Sequence, residues 1–302
     1  MQQKVLVLGA RGRFGRNAAL AFEKAGWRVR RFKRGHESLD EAARDVDVIV
    51  NGFNPAYPDW ARELPVLTRD VIRAARRFGA TVMVPGNVYV FGEQTPVPWG
   101  AATPHQALNP LGRVRIDMER AYAEAGIQVI ILRTGDFIDT ETSGNWFDKV
   151  MIKGLRKGVF TYPGRSDIPH AWAYLPDLAH ACVELAEKRR ALPLLNDIPF
   201  PGYTLSGEDM RAALETVAGY PVRLKRMSYL PLHLARPFWR MAAPLLEMRY
   251  LWNTPHWLDG SAFNRLLPEF RETPLEDALA VAARSELRQV EVDPNQPVPA
   301  RP

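Results

Sequence analysis

The first fifteen residues constrain this 302-residue chain more than any other stretch. Four apolar residues, Val5-Leu6-Val7-Leu8, run straight into Gly9-Ala10-Arg11-Gly12-Arg13-Phe14-Gly15. An apolar face at helical spacing follows (Phe14, Ala18, Ala21, Phe22, Ala25), and Gly26 closes it. A strand, a glycine turn and a helix in that order place the start of the helix at the end of a buried strand. Gly9 permits the tight turn, Gly12 lets main chain approach a pyrophosphate, and Gly15 lets helix pack closely on sheet. The first N–H groups of the helix face the same place and favour an anion there. The unit therefore predicts a dinucleotide across the turn, touched by Gly9, Arg11, Gly12, Arg13, Phe14 and Gly15. The alternative is the same strand–turn–helix unit with no nucleotide bound.

Apolar runs and helical patterns then alternate, which predicts a Rossmann-type, doubly wound parallel α/β sheet. Strands are expected at 27–32, 46–50, 80–84, 129–132 and 194–198. Helices are expected around 67–78, at 113–125 and at 177–188, the last capped by Asp177. Beyond about Phe200 prolines and aromatics become frequent and the alternation fades. The expected division is a nucleotide-binding domain at 1–198, within which 134–176 contributes to a substrate pocket. A smaller, mainly helical substrate lobe at 199–290 and a proline-rich, disordered tail at 291–302 follow. The aromatic stretch 229–258 also has the composition of a membrane-surface patch, but Pro231, Pro237, Pro244 and Pro255 interrupt any long amphipathic helix.

One cysteine, Cys182, excludes an internal disulfide and sits in the apolar pattern of a helix, so a reducing compartment is expected. The first strand begins within a few residues of the N-terminus, which leaves no room for a signal peptide; a cytoplasmic location is expected. No Cys/His cluster has metal-ligand spacing, and no metal is expected. The net charge of +6 is spread along the chain without a nucleic-acid motif. It suits an anionic small-molecule substrate better than DNA or RNA, and no membrane partner is expected. A homodimer remains open.

At the end of the second strand, where an acid would bond ribose hydroxyls, the chain reads Arg28-Val29-Arg30-Arg31-Phe32-Lys33-Arg34, with no carboxylate before Glu37. Guanidinium forks at Arg31 and Arg34, with Arg11 and Arg13 as a second clamp, predict NADP(H) over NAD(H). The competing reading is a solvated strand face.

Four further segments carry a resemblance. They are Val84-Pro85-Gly86-Asn87-Val88-Tyr89-Val90-Phe91-Gly92, Asn109-Pro110-Leu111-Gly112-Arg113-Val114-Arg115 through Glu119, Leu132-Arg133-Thr134-Gly135-Asp136-Phe137, and Ala173-Tyr174-Leu175-Pro176-Asp177-Leu178-Ala179. With the Gly-x-x-Gly-x-x-Gly turn, this frame resembles the extended and atypical short-chain dehydrogenase/reductase superfamily, of the epimerase/dehydratase-like kind. The resemblance runs from about residue 1 to 186. It implies a Tyr-x-x-x-Lys pair, yet those positions hold Leu111 and Arg115, and the usual serine position holds Asn87. Leucine transfers no proton, and arginine stays protonated.

Replacement acid/base groups are sought in Asn87, Tyr89, Asp136 and His170. Each has a structural alternative: packing for Tyr89, turn capping for Asp136, loop anchoring for His170. Asn51, Gly52 and Phe53 are expected to line the nicotinamide side of the cleft, with Arg115 also near the cofactor. The leading functional reading is an NAD(P)-dependent oxidoreductase or isomerase acting on a polar, sugar-nucleotide-like substrate with non-standard acid/base residues. The alternative is a non-catalytic, NmrA-like NADP(H)-binding redox sensor; a third is a scaffold using the Trp-rich lobe.

Overall fold

Alternate residues of the first strand face opposite ways, and each set has its own helical layer. In the computed structural model, which describes residues 2–287, β1 (Lys4–Leu8) leads into α1 (Arg13–Lys24), β2 (Arg28–Arg31), a short α2 (Leu39–Ala42) and β3 (Val48–Asn51). Next come α3 (Trp60–Phe78), β4 (Thr81–Asn87), α4 (Pro110–Ala123) and β5 (Val129–Thr134). Val5 and Val7 pack with Phe14, Ala18 and Phe22 of α1 and with Leu178, Ala181 and Cys182 of α5 (Leu175–Lys188). Leu6 and Leu8 pack with Val71, Ala74 and Ala75 of α3 and with Met118 and Tyr122 of α4.

The main sheet has the order β2-β1-β3-β4-β5-β9, where β9 is Leu195–Pro199, and every pair in it is parallel. The chain order reverses at β1, so the crevice beyond the carboxyl ends of β1 and β3 is the expected ligand position in such a sheet. All six expected strands are present. The helix expected at 67–78 starts earlier, at Trp60, and carries Pro65 in its second turn. Asp177 does not cap α5: Tyr174 is the N-cap residue, and the Asp177 carboxylate accepts from the N–H and hydroxyl of Thr273 at 2.8 Å each.

The smaller part is assembled from two stretches of chain. β6 (Asp136–Ile138), β7 (Val159–Tyr162) and β8 (His170–Tyr174) come from the middle of the sequence. β10 (Tyr203–Leu205), α6 (Gly207–Ala218), β11 (Arg223–Arg226), α7 (Leu230–Ala235), α8 (Ala242–Glu247), α9 (Ser261–Leu266) and α10 (Leu275–Ala282) follow β9. The sheets β10-β8-β6 and β11-β7 stitch the two stretches together. Their shared core includes Phe147, Phe160, Trp172, Met210, Leu214, Trp252 and Leu279. Ser206 and Asp209 close α6 with a capping box. The tail at 291–302 lies outside the described residues.

Candidate functional site

A cleft of about 700 Å³ opens where the main sheet meets the smaller part. Its floor is the first glycine turn. Gly9 has φ +67°, and a Cβ there would lie 2.6 Å from the Gly52 carbonyl oxygen; a Cβ on Gly15 would lie 2.3 Å from the Gly9 carbonyl. The turn is therefore closed against the loop after β3: Gly9 is required by contact and by φ, and Gly15 by contact. Gly12 is the N-cap residue of α1, and neither a capping side chain nor an acidic residue occupies the first turn. An unscreened helix N-terminus lined with main chain suits a diphosphate. Gly9, Arg11, Gly12, Arg13, Phe14, Asn51, Gly52, Phe53 and Arg115 all line this cleft; Gly15 packs beneath it.

The arginines behave differently from one another. Arg13 is committed across the cleft mouth, donating from Nε to the Ser143 carbonyl at 3.0 Å and from Nη2 to that of Gly144 at 2.7 Å. It latches the first turn to the loop after β6, so a free clamp role for it does not hold. Arg31 is not a lining residue; it pairs with Glu23, Nη1 to Oε1 at 2.6 Å. Arg30 pairs with Glu37. Arg34 does line the cleft, but it lies over the Phe53 ring at 5.6 Å and within 3.4 Å of Glu63, another lining residue. Arg13, Arg31 and Arg34, three of the four forks expected to hold a 2′-phosphate, thus face a carboxylate or a carbonyl already. The carboxylates come from α1, α3 and the loop after β2, and strand-end reading does not reveal them. Arg11, exposed at the cleft, alone of the set makes no side-chain hydrogen bond or ion pair among the described residues.

The opposite wall brings an acid and an imidazole together. Asp136 opens β6 just past the end of β5 and lines the cleft. Its Oδ2 is 2.8 Å from His170 Nε2. The Asp136 side chain is 26% exposed and that of His170 only 3%, so the carboxylate faces the cleft with the imidazole behind it. His170 stacks on Trp252 (4.4 Å between ring centroids, 7° between planes) and meets His256 edge-on at 4.3 Å. His256 is wholly buried and stacks on Trp99 at 4.8 Å. Its Nδ1 donates to the Thr254 carbonyl at 2.8 Å, and burial holds its pKa well below the ordinary histidine value. A neutral ring therefore backs His170.

Tyr89 and Tyr57 face the same space, their hydroxyls 2.7 Å apart. Burial raises both phenols above their ordinary pKa, and the Asp136 charge adds to this in each. They remain protonated hydrogen-bonding groups rather than bases. Tyr57 was missed at the sequence level: Tyr57-Pro58-Asp59 follows the Asn54-Pro55 turn and has no pattern of its own. Asn87 also lines the cleft, with its Oδ1 accepting from the Tyr89 N–H at 3.1 Å; the side-chain NH₂ is its remaining donor. Leu111, where the resemblance implies a tyrosine, is buried among Trp60, Val88 and Phe91. Arg115 sits over the Trp60 ring at 5.4 Å and donates to the Pro85 carbonyl at 2.8 Å. It holds the end of β4 in place.

Arg133, fully buried in β5, fixes both walls. It donates to the Asn87 carbonyl at 2.7 Å and pairs with Glu119 and Asp197. His105 joins these two carboxylates in the one group of three potential metal ligands among the described residues. Both acids are already spent on Arg133, so the group reads as a charge network.

No protein-family model and no curated protein matches the chain. Solved structures do match in fold. UDP-glucuronic acid 4-epimerase from Bacillus cereus, in complex with UDP-glucuronic acid and NAD, superposes with a TM-score of 0.72 at 15% identity, over 94% of this chain and 99% of that one. MoeE5 in complex with UDP-glucose and NAD gives 0.70 at 16%, over 93% and 97%. The NAD-dependent NDP-hexosamine 5,6-dehydratase TunA gives 0.69 at 15%, over 94% and 97%. The fold is therefore that of NAD-dependent sugar-nucleotide epimerases and dehydratases. These neighbours bind NAD, which overturns the expected preference for NADP(H); the paired arginines give the physical reason.

Proposed function

We propose that the chain is an NAD-dependent oxidoreductase of the epimerase/dehydratase type acting on a nucleoside-diphosphate sugar. The observation that carries this reading is the convergence, in one cleft, of an uncapped glycine turn and the Asp136–His170 pair. The cleft, at about 700 Å³, falls within the range of small-molecule and cofactor sites. NAD bound there would accept and return hydride at a sugar carbon.

The chain's own residues supply the rest. The turn and the first N–H groups of α1 would hold the diphosphate, with Arg11 as the cation beside it. Asp136 takes the proton of the sugar hydroxyl whose carbon loses hydride, leaving a ketone, and returns that proton when the hydride comes back. His170 fixes the carboxylate and disperses its charge, as an imidazole behind a base does. Tyr57 and Tyr89 hydrogen-bond to the sugar oxygens, and Asn87 offers a donor to the carbonyl. Leu111 is buried and offers no proton path, which moves the acid/base work from the start of α4 to the start of β6.

Purified protein supplied with NAD and a panel of UDP- and dTDP-sugars tests this. Product separation should show an epimerised or dehydrated sugar nucleotide, with Asp136→Asn abolishing it while NAD still binds. NAD binding with no turnover on the panel, or an activity that Asp136→Asn leaves unchanged, would sink the catalytic assignment. The burial of Leu111 would then favour the binding-only alternative.

A further inference from the structure

The apolar surface of the smaller part is not all turned inward. Trp172 and Trp252 are buried in its core. In the hairpin formed by α7 and α8 the pattern inverts: Phe238 is 92% exposed, Leu234 68%, Leu230 62% and Trp239 46%. Phe238 is the most exposed large apolar side chain among the described residues. The prolines that rule out one long amphipathic helix do not prevent this arrangement. Pro231 sits in the first turn of α7, and Pro237 falls between the two helices, so they shape a short hairpin with an apolar tip.

The stretch of chain that carries this tip is strongly cationic. Residues 223–249 hold six cationic side chains, Arg223, Lys225, Arg226, Arg236, Arg240 and Arg249, and a single carboxylate, Glu247. Glu247 is used internally, accepting from the Asn109 side chain and the Leu111 N–H at 2.7 Å each. Arg240 reaches back to Asp59 at 3.1 Å, and Arg249 covers the Tyr229 ring at 4.6 Å. Among the described residues no carboxylate pairs with Arg223, Lys225, Arg226 or Arg236. The hairpin is thus anchored through Arg240 to Asp59, next to Tyr57 and Trp60 of the cleft, while its exposed Leu230, Leu234, Phe238 and Trp239 share the hairpin with the exposed Arg236 and follow the exposed cations of β11 in the chain.

We propose that this hairpin docks the protein peripherally on an anionic lipid surface. Apolar side chains with a tryptophan enter the headgroup boundary, and the cations of this stretch meet the negative surface potential. A protein partner would need to match both the projecting apolar tip and the positive charge of this stretch; an anionic bilayer supplies both. Among the described residues no helix is long and apolar enough to cross a membrane, so attachment is at the surface. Docking there sets the cleft rim, through Arg240 and Asp59, close to the bilayer.

The full chain is sedimented with vesicles of phosphatidylcholine alone and with about 30% phosphatidylserine added. The expected result is at least about tenfold more protein pelleted by the anionic vesicles, with the excess lost near 0.5 M salt. Phe238→Glu and Leu234→Glu should each remove about tenfold of the binding and leave NAD affinity unchanged. Arg236→Ser, which removes charge and little apolar surface, should give a smaller loss of about threefold and guards against a folding defect in the first two. Equal or absent pelleting with both vesicle types overturns the proposal. So does a wild-type dimer that Phe238→Glu turns into a monomer while vesicle binding is absent.

Discussion

The two walls of the cleft are made by different means. The wall on the main sheet is built of backbone: Gly9, Gly12, Gly15 and Gly52 are defined by what they lack, and their contacts are main chain on main chain. The wall on the smaller part is built of side chains: Asp136, His170, Trp252, His256 and Trp99 form a continuous stack of acid, imidazole and indole. Backbone walls tolerate no added atom. Side-chain walls can change their chemistry one residue at a time. This is how a sheet of this type keeps its turn while the start of α4 carries Leu111 and Arg115.

The largest effect should come from breaking the backbone wall. Gly9→Val places a β-branched side chain at φ +67° and a Cβ 2.6 Å from the Gly52 carbonyl. It should destabilise the fold by about 3 kcal/mol and weaken NAD binding by at least about 100-fold. Chemical denaturation and calorimetric titration read the two quantities. Retention of both would show that the turn is not held by contact.

Breaking the side-chain wall should leave the fold and change the chemistry. Asp136→Asn keeps size and hydrogen-bonding shape but takes no proton, so kcat should fall by about 100- to 10,000-fold with NAD affinity unchanged. His170→Gln removes the ring behind the carboxylate. As a positioning change it should shift the pH–rate profile and lower kcat by about tenfold, with KM nearly constant. A fall in KM alone, or an unmoved profile, would assign His170 to loop packing only.

The same contrast explains what the sequence disclosed. The glycine turn was legible because its signal is local: three glycines between an apolar run and an apolar-periodic helix need no other part of the chain. The parallel sheet was legible from the alternation of such units. Asp136 and His170 were legible only as candidates, because 34 residues separate the two side chains that meet at 2.8 Å. Tyr57 was not found, since its role depends on meeting Tyr89 across 32 residues. The cofactor inference failed for a related reason. Strand-end chemistry presents Arg31 and Arg34 as free forks or as a solvated face, whereas Glu23 and Glu63 reach them from helices whose facing residues it does not specify. Arg133 was read only as part of a resemblance, yet a cation in a wholly buried strand demands anionic partners, and Glu119 and Asp197 supply them.

The neutral backing of the stack gives a pH dependence of stability. His256 is held well below the ordinary histidine pKa by burial, so the unfolded chain takes up a proton that the folded chain refuses. Its contribution is fully present above about pH 6.5 and is lost as pH falls below that, by up to about 1.4 kcal/mol per pH unit. His256→Leu fills the same space without a titrating group. Denaturation curves at pH 7.5 and 5.5, compared between the two proteins, should show the wild type losing more on acidification. Parallel losses would mean that His256 titrates normally through an opening in the stack.

The smallest effect should come at the seam, where one wall reaches the other. Arg11 and Arg13 sit two residues apart in the same turn and differ in commitment: Arg13 is bonded to the Ser143 and Gly144 carbonyls, and Arg11 is exposed at the cleft. Two neutral acceptors make the Arg13 contact short-ranged, whereas a cation beside a diphosphate acts through a screened field. Arg13→Met should therefore weaken NAD binding about three- to tenfold, by loosening the loop that closes the mouth, and the loss should be the same at low and high salt. Arg11→Met should cost a similar factor at low salt, and that loss should shrink as salt rises. If instead the Arg13 effect disappears in salt, then Arg13 leaves the loop when the coenzyme arrives and the two walls are joined by the ligand rather than by the protein.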